Sequence, residues 1–376
     1  MIKHSERKIV IKTIHGEIEL EREYHICRHC RYAEMPLDDL LEISGLPHKM
    51  TIKCMLEVAF YGQNQSSFRG ASEMIEKVMK MELSEESVRD ITEMIGQKVH
   101  ELDTLRAQQT FDNISNMDVA GAPKKMTLYI MTDGASVNTR VQDANGSTWR
   151  ENKMVMVFTD KSLIRRKDGS HIITAKEYAA FIGSAENFKK YVFDLAVRNG
   201  YGQVDKVVVI ADGATWIRNM CLELFPDAVQ ILDLFHLKEN VFDYAKFKFK
   251  NDATKYTPWA EEINAKLEKG QVSEVLAELP ENETLPQNVT NLRTYLENNR
   301  SKVNYPEYKK NGFFVGSGAI ESANKTILQR RLKQSGMRWS VKGAQFVLTL
   351  RAKVESGLWD KDVRSLALTS SFKKSA

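Results

Sequence analysis

The pattern of apolar and polar positions divides the chain into segments of different period. Residues 8–26 alternate apolar and polar positions around His15-Gly16, which predicts a β-hairpin. Residues 37–110 carry apolar residues at helical spacing, interrupted by polar turns, which predicts several helices. These helices fit a helix-turn-helix DNA-binding unit or an ordinary helical bundle, and the pattern does not decide between the two. The looser stretch 111–125 predicts a linker.

Beyond this linker the period changes to that of buried strands. An amphipathic helix is predicted over 185–198, and near-continuous apolar runs predict strands at 126–132, 153–159, 206–211 and 229–232, with a weaker one around 171–174. Three strands, a helix, a strand, a helix and a strand is the element order of a ribonuclease-H-like core. We therefore expect an α/β fold with a mixed sheet.

The stretch 238–310 is charged and helical in period, without a run that alternates every second residue. It predicts an all-helical insertion outside the sheet, which separates the core from its last helices. The predicted organisation is a hairpin region at 1–36, a helical region at 37–112, the first part of the core at 124–237, the insertion at 238–310, the final core helices at 311–360 and a tail at 361–376.

Composition and charge narrow the class of partner. The chain has 376 residues, of which 42% are hydrophobic and 28% charged, which is typical of a globular protein of two or three domains. The net charge is only +4, but residues 322–353 contain eight Lys or Arg and no Asp or Glu. One concentrated basic segment favours a nucleic-acid partner over a membrane or an acidic small molecule.

The four cysteines and the start of the chain bear on compartment and on zinc. No secretory core and no apolar run of about eighteen residues occurs, so we expect a cytoplasmic protein with reduced thiols. Cys27 and Cys30 have the spacing of one zinc knuckle at the end of the predicted hairpin. A structural zinc ion needs four ligands, and no second CxxC occurs, so zinc at these thiols is a weak candidate.

Three acidic residues carry the candidate chemistry. Asp133 and Asp212 each follow an apolar strand and precede Gly-Ala, and Glu321 follows the glycine-spaced turn Gly316-Ser317-Gly318 at the start of a helix. If the two strands are neighbours, their carboxylates lie about 5 Å apart, which suits a shared Mg²⁺ or Mn²⁺. Taken singly, each aspartate is as well explained by an Asx turn, and Glu321 by the helix dipole and a pair with Lys325.

Asp233 and His236 form a second candidate group, three residues apart after the strand 229–232. They can share one side of a helical turn, where they would orient the catalytic acids, contact DNA or form a buried polar pair. No glycine-rich phosphate loop follows the first core strand, which disfavours a phosphate-handling α/β enzyme.

These motifs together resemble the DDE transposases of bacterial insertion sequences, in particular the Kra-type group related to Mutator-like elements. The resemblance covers nearly the whole chain. It rests on TDGA at 132–135, ADGA at 211–214, ILDLFH at 231–236, GSGAIES at 316–322, RRLKQSGMRWS at 330–340, and the early RxYxxCxxC with PLDDLL at 22–41. One departure is that the upstream CxxC that often completes a zinc ribbon in related proteins is absent from this sequence.

The resemblance implies a ribonuclease-H-like domain with Asp133, Asp212 and Glu321 as a metal-binding catalytic triad, and Asp233 with His236 as an auxiliary pair. It implies an enzyme that cuts the ends of a mobile element and joins them to target DNA, as a homo-oligomer assembled on DNA in the cytoplasm, at the bacterial nucleoid. The residues expected to hold that DNA are Lys325, Arg330, Arg331, Lys333, Arg338 and Trp339. The rivals are a nuclease of the same fold that does not join strands, and a DNA-binding protein with an idle cluster.

Overall fold

The computed structural model describes residues 1–41, 43, 46–114, 124–167, 171–286 and 289–368. Its first elements are two long antiparallel strands, β1 (Ile2–Thr13) and β2 (Gly16–Ile26), which confirm the predicted hairpin. Thr13 pairs with Gly16, which has a φ of 111° that favours glycine. A short strand, β3 (Ala33–Glu34), adds to β2 beyond the two cysteines of the CxxC motif.

In the described part of the chain, four α-helices follow the hairpin: α1 (Pro36–Leu40), α2 (Ile52–Asn64), α3 (Phe68–Met79) and α4 (Glu85–Asp112). The last three start where a hydroxyl side chain caps the free backbone N–H groups. Thr51, Ser67 and Ser84 accept hydrogen bonds from the N–H groups of Cys54, Gly70 and Ser87. Of the predicted linker, residues 115–123 lie outside the described part of the chain.

The next part of the chain forms a five-stranded mixed sheet with helices between its later strands. In chain order the elements are β4 (Lys124–Asn138), β5 (Trp149–Thr159), β6 (Leu163–Arg165), β7 (His171–Ile173), β8 (Glu177–Ile182), α5 (Ala185–Arg198), β9 (Val204–Ala211), α6 (Thr215–Leu224) and β10 (Val229–Leu232). The sheet has the order β10-β9-β4-β5-β8. β4, β9 and β10 are parallel, and β5 pairs antiparallel with β8.

The prediction of the third core strand was wrong. The segment His171–Ile173 pairs with β6 in a separate two-stranded sheet, and the third strand of the five-stranded sheet is β8. β8 carries Tyr178-Ala179-Ala180-Phe181, and alanine is depleted in strands, so its pattern gave no strand signal.

Among the described residues, five α-helices occupy the segment after β10: α7 (Leu234–Lys248), α8 (Ala253–Glu268), α9 (Val272–Glu278), α10 (Leu292–Asn298) and α11 (Tyr305–Lys310). No strand occurs among the described residues of 238–310. Two tyrosines of this segment donate hydrogen bonds to strand ends of the sheet. Tyr295 donates to the carbonyl of Asp212 at 2.8 Å, and Tyr305 to that of Leu232 at 3.0 Å.

The chain ends in an interrupted helix and a long helix. α12 (Gly318–Ala323) continues through a π-helical turn, Asn324–Gln329, into α13 (Arg330–Leu332). α14 (Val341–Glu355) is followed by a second π-helical turn, Trp359–Val363. The part of the predicted tail from residue 369 lies outside the described residues.

The chain divides into two compact units that interleave along the sequence. The first contains Met1–Leu105, Val137–Arg150 and Thr326–Ala376, and the second Arg106–Ser136 and Glu151–Lys325. The first has a core of α2, α3 and α4 side chains together with Leu350, Trp359, Val363 and Leu366. The second has a core between the sheet and the helices α5 and α6. Residues 311–360, predicted as one final segment of the core, are divided between the two units at Lys325.

No helix among the described residues is long and apolar enough to cross a membrane.

Candidate metal centre

Three aspartates align where the parallel pairing of β4, β9 and β10 ends. The register of β4 with β9 places Asp133 beside Asp212, because each follows a paired residue by two positions. The register of β9 with β10 places Asp233 beside Asp212 in the same way. Carboxyl ends of neighbouring parallel strands are where ligand sites form in such sheets, with strands about 5 Å apart. The sheet therefore brings together aspartates that are distant in sequence.

The two Asp-Gly-Ala motifs differ in backbone conformation. Gly213 has a φ of 87°, and a Cβ there would meet the Leu232 side chain at 2.8 Å and the Asn299 side chain at 2.9 Å, so glycine is required. Asp133 and Gly134 lie inside β4, which continues to Asn138. The expected strand end and sharp turn therefore occur after Asp212 and not after Asp133.

Asp233 is completely buried and accepts four hydrogen bonds. Its Oδ1 accepts from the N–H groups of Phe235 (3.3 Å) and Ser317 (2.7 Å). Its Oδ2 accepts from the N–H of His236 (3.2 Å) and from the hydroxyl of Ser317 (2.7 Å). These donors fill about four lone-pair positions of a carboxylate. Asp233 thus caps α7 and also fixes the loop that leads into α12.

Glu321 lies in α12, one turn beyond the loop that Asp233 holds. Ligand atoms of Glu321, Asp233 and His236 lie within 4.8 Å of one another. Glu321 Oε1 is buried and has no hydrogen-bond partner among the described residues. Burial raises the pKa of Glu321, and the carboxylates of Asp233, Glu239 and Asp133 add to the rise, whereas His236 opposes it. Within the described chain Glu321 forms no ion pair with Lys325, so that part of the alternative is not found, whereas the helix dipole still favours an acid in the first turn of α12.

His236 stands among the acidic groups. Its Nε2 lies 3.8 Å from Asp133 Oδ1 and 3.8 Å from Asp233 Oδ2, and its Nδ1 lies 3.3 Å from Glu239 Oε2. Burial by itself would lower the pKa of His236, but the attraction of Asp233, Asp133, Asp212 and Glu239 outweighs it, so the pKa is raised. The imidazole therefore offsets part of the negative charge of the site.

Asp133 is 9% exposed and accepts hydrogen bonds from the Gly134 N–H at 2.7 Å and the Asn324 amide at 2.5 Å. Burial raises the pKa of Asp133 most strongly, the repulsion of Asp212 raises it further, and the two donors and His236 work in the opposite direction. Asp212 is half-buried, and its Oδ1 accepts from the Ala214 N–H at 2.9 Å.

Sequence reasoning missed the groups that hold these acids in place. Ser317 anchors Asp233, and Asn324 anchors Asp133. Asn324 follows Glu321 by three residues, so helical spacing places both on one face of the helix and could have identified it. Tyr295, which binds the carbonyl of Asp212 from α10, had no signal, because the two residues are 83 positions apart in the sequence.

The residues present fit a hard divalent cation. Asp133, Asp212 and Glu321 offer carboxylate oxygens, the ligands that Mg²⁺ and Mn²⁺ prefer. The buried Glu321 Oε1 without a hydrogen-bond partner is an acceptor that a cation would satisfy. The three residues whose ligand atoms lie within 4.8 Å of one another are Asp233, His236 and Glu321, and this set differs from the predicted triad. Because its lone pairs already accept four hydrogen bonds, we interpret Asp233 as a residue that positions α12 and not as a metal ligand.

The basic residues expected to bind DNA have different environments. Arg331 and Trp339 are 1% and 7% exposed, so both side chains are buried, and their role in DNA binding also remains a prediction. Within 322–353, Arg351 and Lys353 are also buried. Lys325, Arg330, Lys333 and Arg338 are exposed, and their role in DNA binding remains a prediction.

Cys27 and Cys30 lie in the turn between β2 and β3. The N–H groups of Cys30 and His29 point at the Cys27 sulfur and lower its pKa. The three-ligand group found among the described residues does not include either cysteine. Zinc at this turn therefore stays a prediction.

Three comparisons relate the chain to known proteins. The sequence model of an uncharacterised protein family (UPF0236) matches residues 2–366. The comparison with curated proteins found no match. Among solved structures, the Drosophila P element transposase strand transfer complex is similar at 9% identity, over 86% of this chain and 83% of that chain, with a TM-score of 0.25. This TM-score is too low to show that the two proteins share a fold.

Proposed function

The chain belongs to the uncharacterised protein family UPF0236, and we propose that it is a metal-dependent DDE transposase of the Kra-type group. Its activity would be cleavage of DNA at the ends of an insertion sequence and transfer of the freed 3′ ends into target DNA. Such an enzyme would act on bacterial DNA at the nucleoid, as a homo-oligomer assembled on the element ends.

One observation carries the proposal. Glu321 follows the five helices inserted after β10, yet it lies within 4.8 Å of Asp233 and His236, and His236 lies 3.8 Å from Asp133. A cluster of acids drawn from separate parts of a chain is unfavourable, because burial first and the neighbouring carboxylates second raise the pKa values of Asp133 and Glu321. Acids with perturbed pKa values that gather in one place are typical of functional sites.

The sheet supports a ribonuclease-H-like core. β4 is central, β5 and β8 follow it on one side, and the later strands β9 and β10 add in parallel on the other side after helical connections. The predicted triad then has one acid on the central strand, one directly after its parallel neighbour and one on a late helix.

Within this site each residue has a defined task. Asp133, Asp212 and Glu321 would hold Mg²⁺ or Mn²⁺, which when bound would polarise the phosphodiester and favour ionisation of the attacking hydroxyl. Asn324 and the Gly134 N–H fix the Asp133 carboxylate. Asp233 and Ser317 fix the start of α12 and so the position of Glu321. His236 would balance charge and hold a proton near Asp133.

The test is DNA cleavage by the purified chain. The chain is incubated with DNA from both flanks of its own gene, with a target plasmid, and with Mg²⁺ or Mn²⁺. Cleaved DNA and DNA joined to the plasmid are then separated on a gel. Asp212→Ala should abolish both products. The matched control is Asp227→Ala, an exposed aspartate in the turn before β10, which should leave activity unchanged.

The rivals give different products. Cleavage without joined product identifies a nuclease, and DNA binding without any cleavage by the intact chain identifies a DNA-binding protein with an idle cluster. Cleavage that survives Asp212→Ala would contradict the assignment of the cluster.

A further inference from the structure

A second concave surface lies in the unit that contains the N-terminal helices, and it shares no residue with the acidic cluster. It is a cavity of about 320 Å³ whose lining includes five arginines and two glutamates. Arginine in excess over acid gives a concave surface a positive potential that attracts anions. The charged residues of this arginine cavity are Arg69, Arg89, Arg140, Arg331 and Arg338, with Glu85 and Glu93.

Three helices begin at the arginine cavity. Ser67 caps α3, Ser340 caps α14 and Glu85 is the first residue of α4, and all three residues line the cavity. These helices have 12, 15 and 28 residues, so each has a full dipole. Helix N-termini present free backbone N–H groups and partial positive charge, which favour a bound phosphate.

A buried charged donor lines the same cavity. Arg331 is 1% exposed, and its Nε and Nη1 donate to the carbonyls of Gly62 at 3.2 Å and Ser66 at 3.4 Å. Its guanidinium lies 4.3 Å from the centre of the Phe68 ring and 5.0 Å from that of the Trp339 ring. Nη2 is buried and has no hydrogen-bond partner among the described residues. A buried charged donor left unpaired is costly, and an anion's oxygen would satisfy it.

We propose that the arginine cavity binds a phosphate group. Phe68 and Trp339 already pack against the Arg331 guanidinium, and Trp339 is 7% exposed, so the geometry favours a phosphate over a stacked base. At the rim, Arg140 and Arg338 are exposed and form no ion pair among the described residues, and the charge of Arg140 opposes the rise in the pKa of Glu93 that burial causes. Arg140 Nε donates to the Arg338 carbonyl at 3.3 Å, which joins the two rim arginines.

The phosphate has two possible sources. One is the backbone of DNA, which rests on the proposed function, and the other is a free phosphate-bearing small molecule. Both present the same anion to the helix N-termini and to Arg331, so the experiment must separate them by measuring each ligand.

The test uses the full chain in EDTA, so that no divalent metal contributes. Affinity for a fluorescein-labelled DNA duplex is measured by fluorescence anisotropy over a series of KCl concentrations. Inorganic phosphate and thymidine monophosphate are titrated by calorimetry. The variant is Arg140→Gln with Arg338→Gln. The matched control is Lys77→Gln with Lys80→Gln, which removes the same charge at the opposite end of α3, about 15 Å from its capped end.

Binding of backbone phosphate predicts that the rim variant has about tenfold weaker DNA affinity, and that its salt slope falls by about 0.9 for each DNA phosphate that the protein no longer neutralises. The control should keep the wild-type slope. Binding of a small phosphate ligand predicts a calorimetric titration in the wild type that is absent in the rim variant, while DNA affinity stays unchanged. Either result supports the cavity as a phosphate site.

The proposal is overturned if the rim variant and the control match the wild type with all three ligands. Thermal unfolding checks that both variants are folded, which is expected because the substituted side chains are exposed. Since all binding is measured without metal, a failure of the cleavage experiment leaves this result unaffected.

Discussion

Glu321 is a carboxylate whose surroundings disfavour its own charge. Burial and the neighbouring acids raise its pKa, so the charged form destabilises the fold when no cation is present. Glu321→Gln keeps the shape of the side chain and removes the charge. We expect a rise in Tm of about 1–3 °C without metal, a small gain because solvent screens a partly exposed group.

The same substitution should remove the metal response. Mn²⁺ should raise the Tm of the wild type, because a ligand that binds only the folded state stabilises it, and this rise should shrink in Glu321→Gln. Differential scanning fluorimetry with and without Mn²⁺ measures both effects. A full Mn²⁺ response in the variant would exclude Glu321 as a ligand.

The buried carboxylate of Asp233 predicts how a single substitution changes the stability of the fold. Asp233→Asn replaces two acceptor positions with donors that face the Ser317 hydroxyl and backbone N–H groups, so buried donors are left without a partner. The free energy of unfolding should fall by about 2–4 kcal/mol. Urea unfolding followed by circular dichroism measures it.

The matched control is Asp252→Asn. Asp252 caps α8 near the surface, where its Oδ1 accepts hydrogen bonds from the N–H and the hydroxyl of Thr254. Asparagine caps as well as aspartate, so the control should leave the free energy of unfolding close to that of the wild type. Equal effects of the two substitutions would mean that Asp233 is only a helix cap.

At the scale of elements, the helix after Glu321 contains a π-helical turn, Asn324–Gln329. A π turn disrupts the regular backbone ladder, and such turns are frequent at functional sites. Arg351 of α14 binds the backbone of this turn, donating from Nε to the Ile327 carbonyl at 2.6 Å and from Nη2 to that of Thr326. Its Nη1 donates to the Gln63 carbonyl at 2.8 Å, so one guanidinium ties α14 to α2 and to the turn.

Arg351→Met should therefore destabilise the protein by about 2–4 kcal/mol, because three carbonyls, two of them in buried hydrogen bonds, are left without a charged donor. The shift of the urea midpoint measures this destabilisation. Lys342→Met, on the exposed face of the same helix, is the control and should stay within about 0.5 kcal/mol of the wild type. An Arg351→Met variant as stable as the control would show that the π turn does not depend on this side chain.

At the scale of the whole molecule, the N-terminal helices do not have a core of their own. Leu350, Trp359, Val363 and Leu366 complete the cluster formed by α2, α3 and α4. A fragment of residues 1–105 would expose the side chains that these four residues cover. We expect this fragment to unfold without a cooperative transition and to bind the dye ANS, unlike the full chain.

Calorimetry and ANS fluorescence test the fragment, and addition of a fragment of residues 326–376 should reduce the ANS signal. A sharp thermal transition in the fragment 1–105 would instead show that the N-terminal region folds alone. The outcome decides whether a DNA-binding function of α2 to α4 can be studied apart from the rest of the chain.

The sequence determined most elements by local pattern. Alternation fixed the hairpin of β1 and β2, apolar runs fixed β4, β5, β9 and β10, and hydroxyl caps fixed the starts of helices, because each depends on neighbours within a few residues. The exception, β8, has alanines that fit helix or strand, and only pairing with β5 made it a strand. The candidate acids were also predictable, since Asp133 and Asp212 follow apolar runs.

Tertiary structure decided which side chains face one another. Arg331 and Arg351 lie in the same basic stretch as the exposed Lys325 and Arg330, and nothing in the spacing of these residues distinguishes the buried pair from the exposed pair. Both arginines are nevertheless buried, where other segments supply carbonyl acceptors. Asp233 has the same strand-end pattern as Asp212, but Ser317, 84 positions away, supplies two of its four hydrogen bonds. Local sequence specifies backbone periodicity and charge, whereas burial and hydrogen-bond partners depend on residues far along the chain. Only the folded structure therefore distinguishes the acids that can bind a metal from the residues that hold them in place.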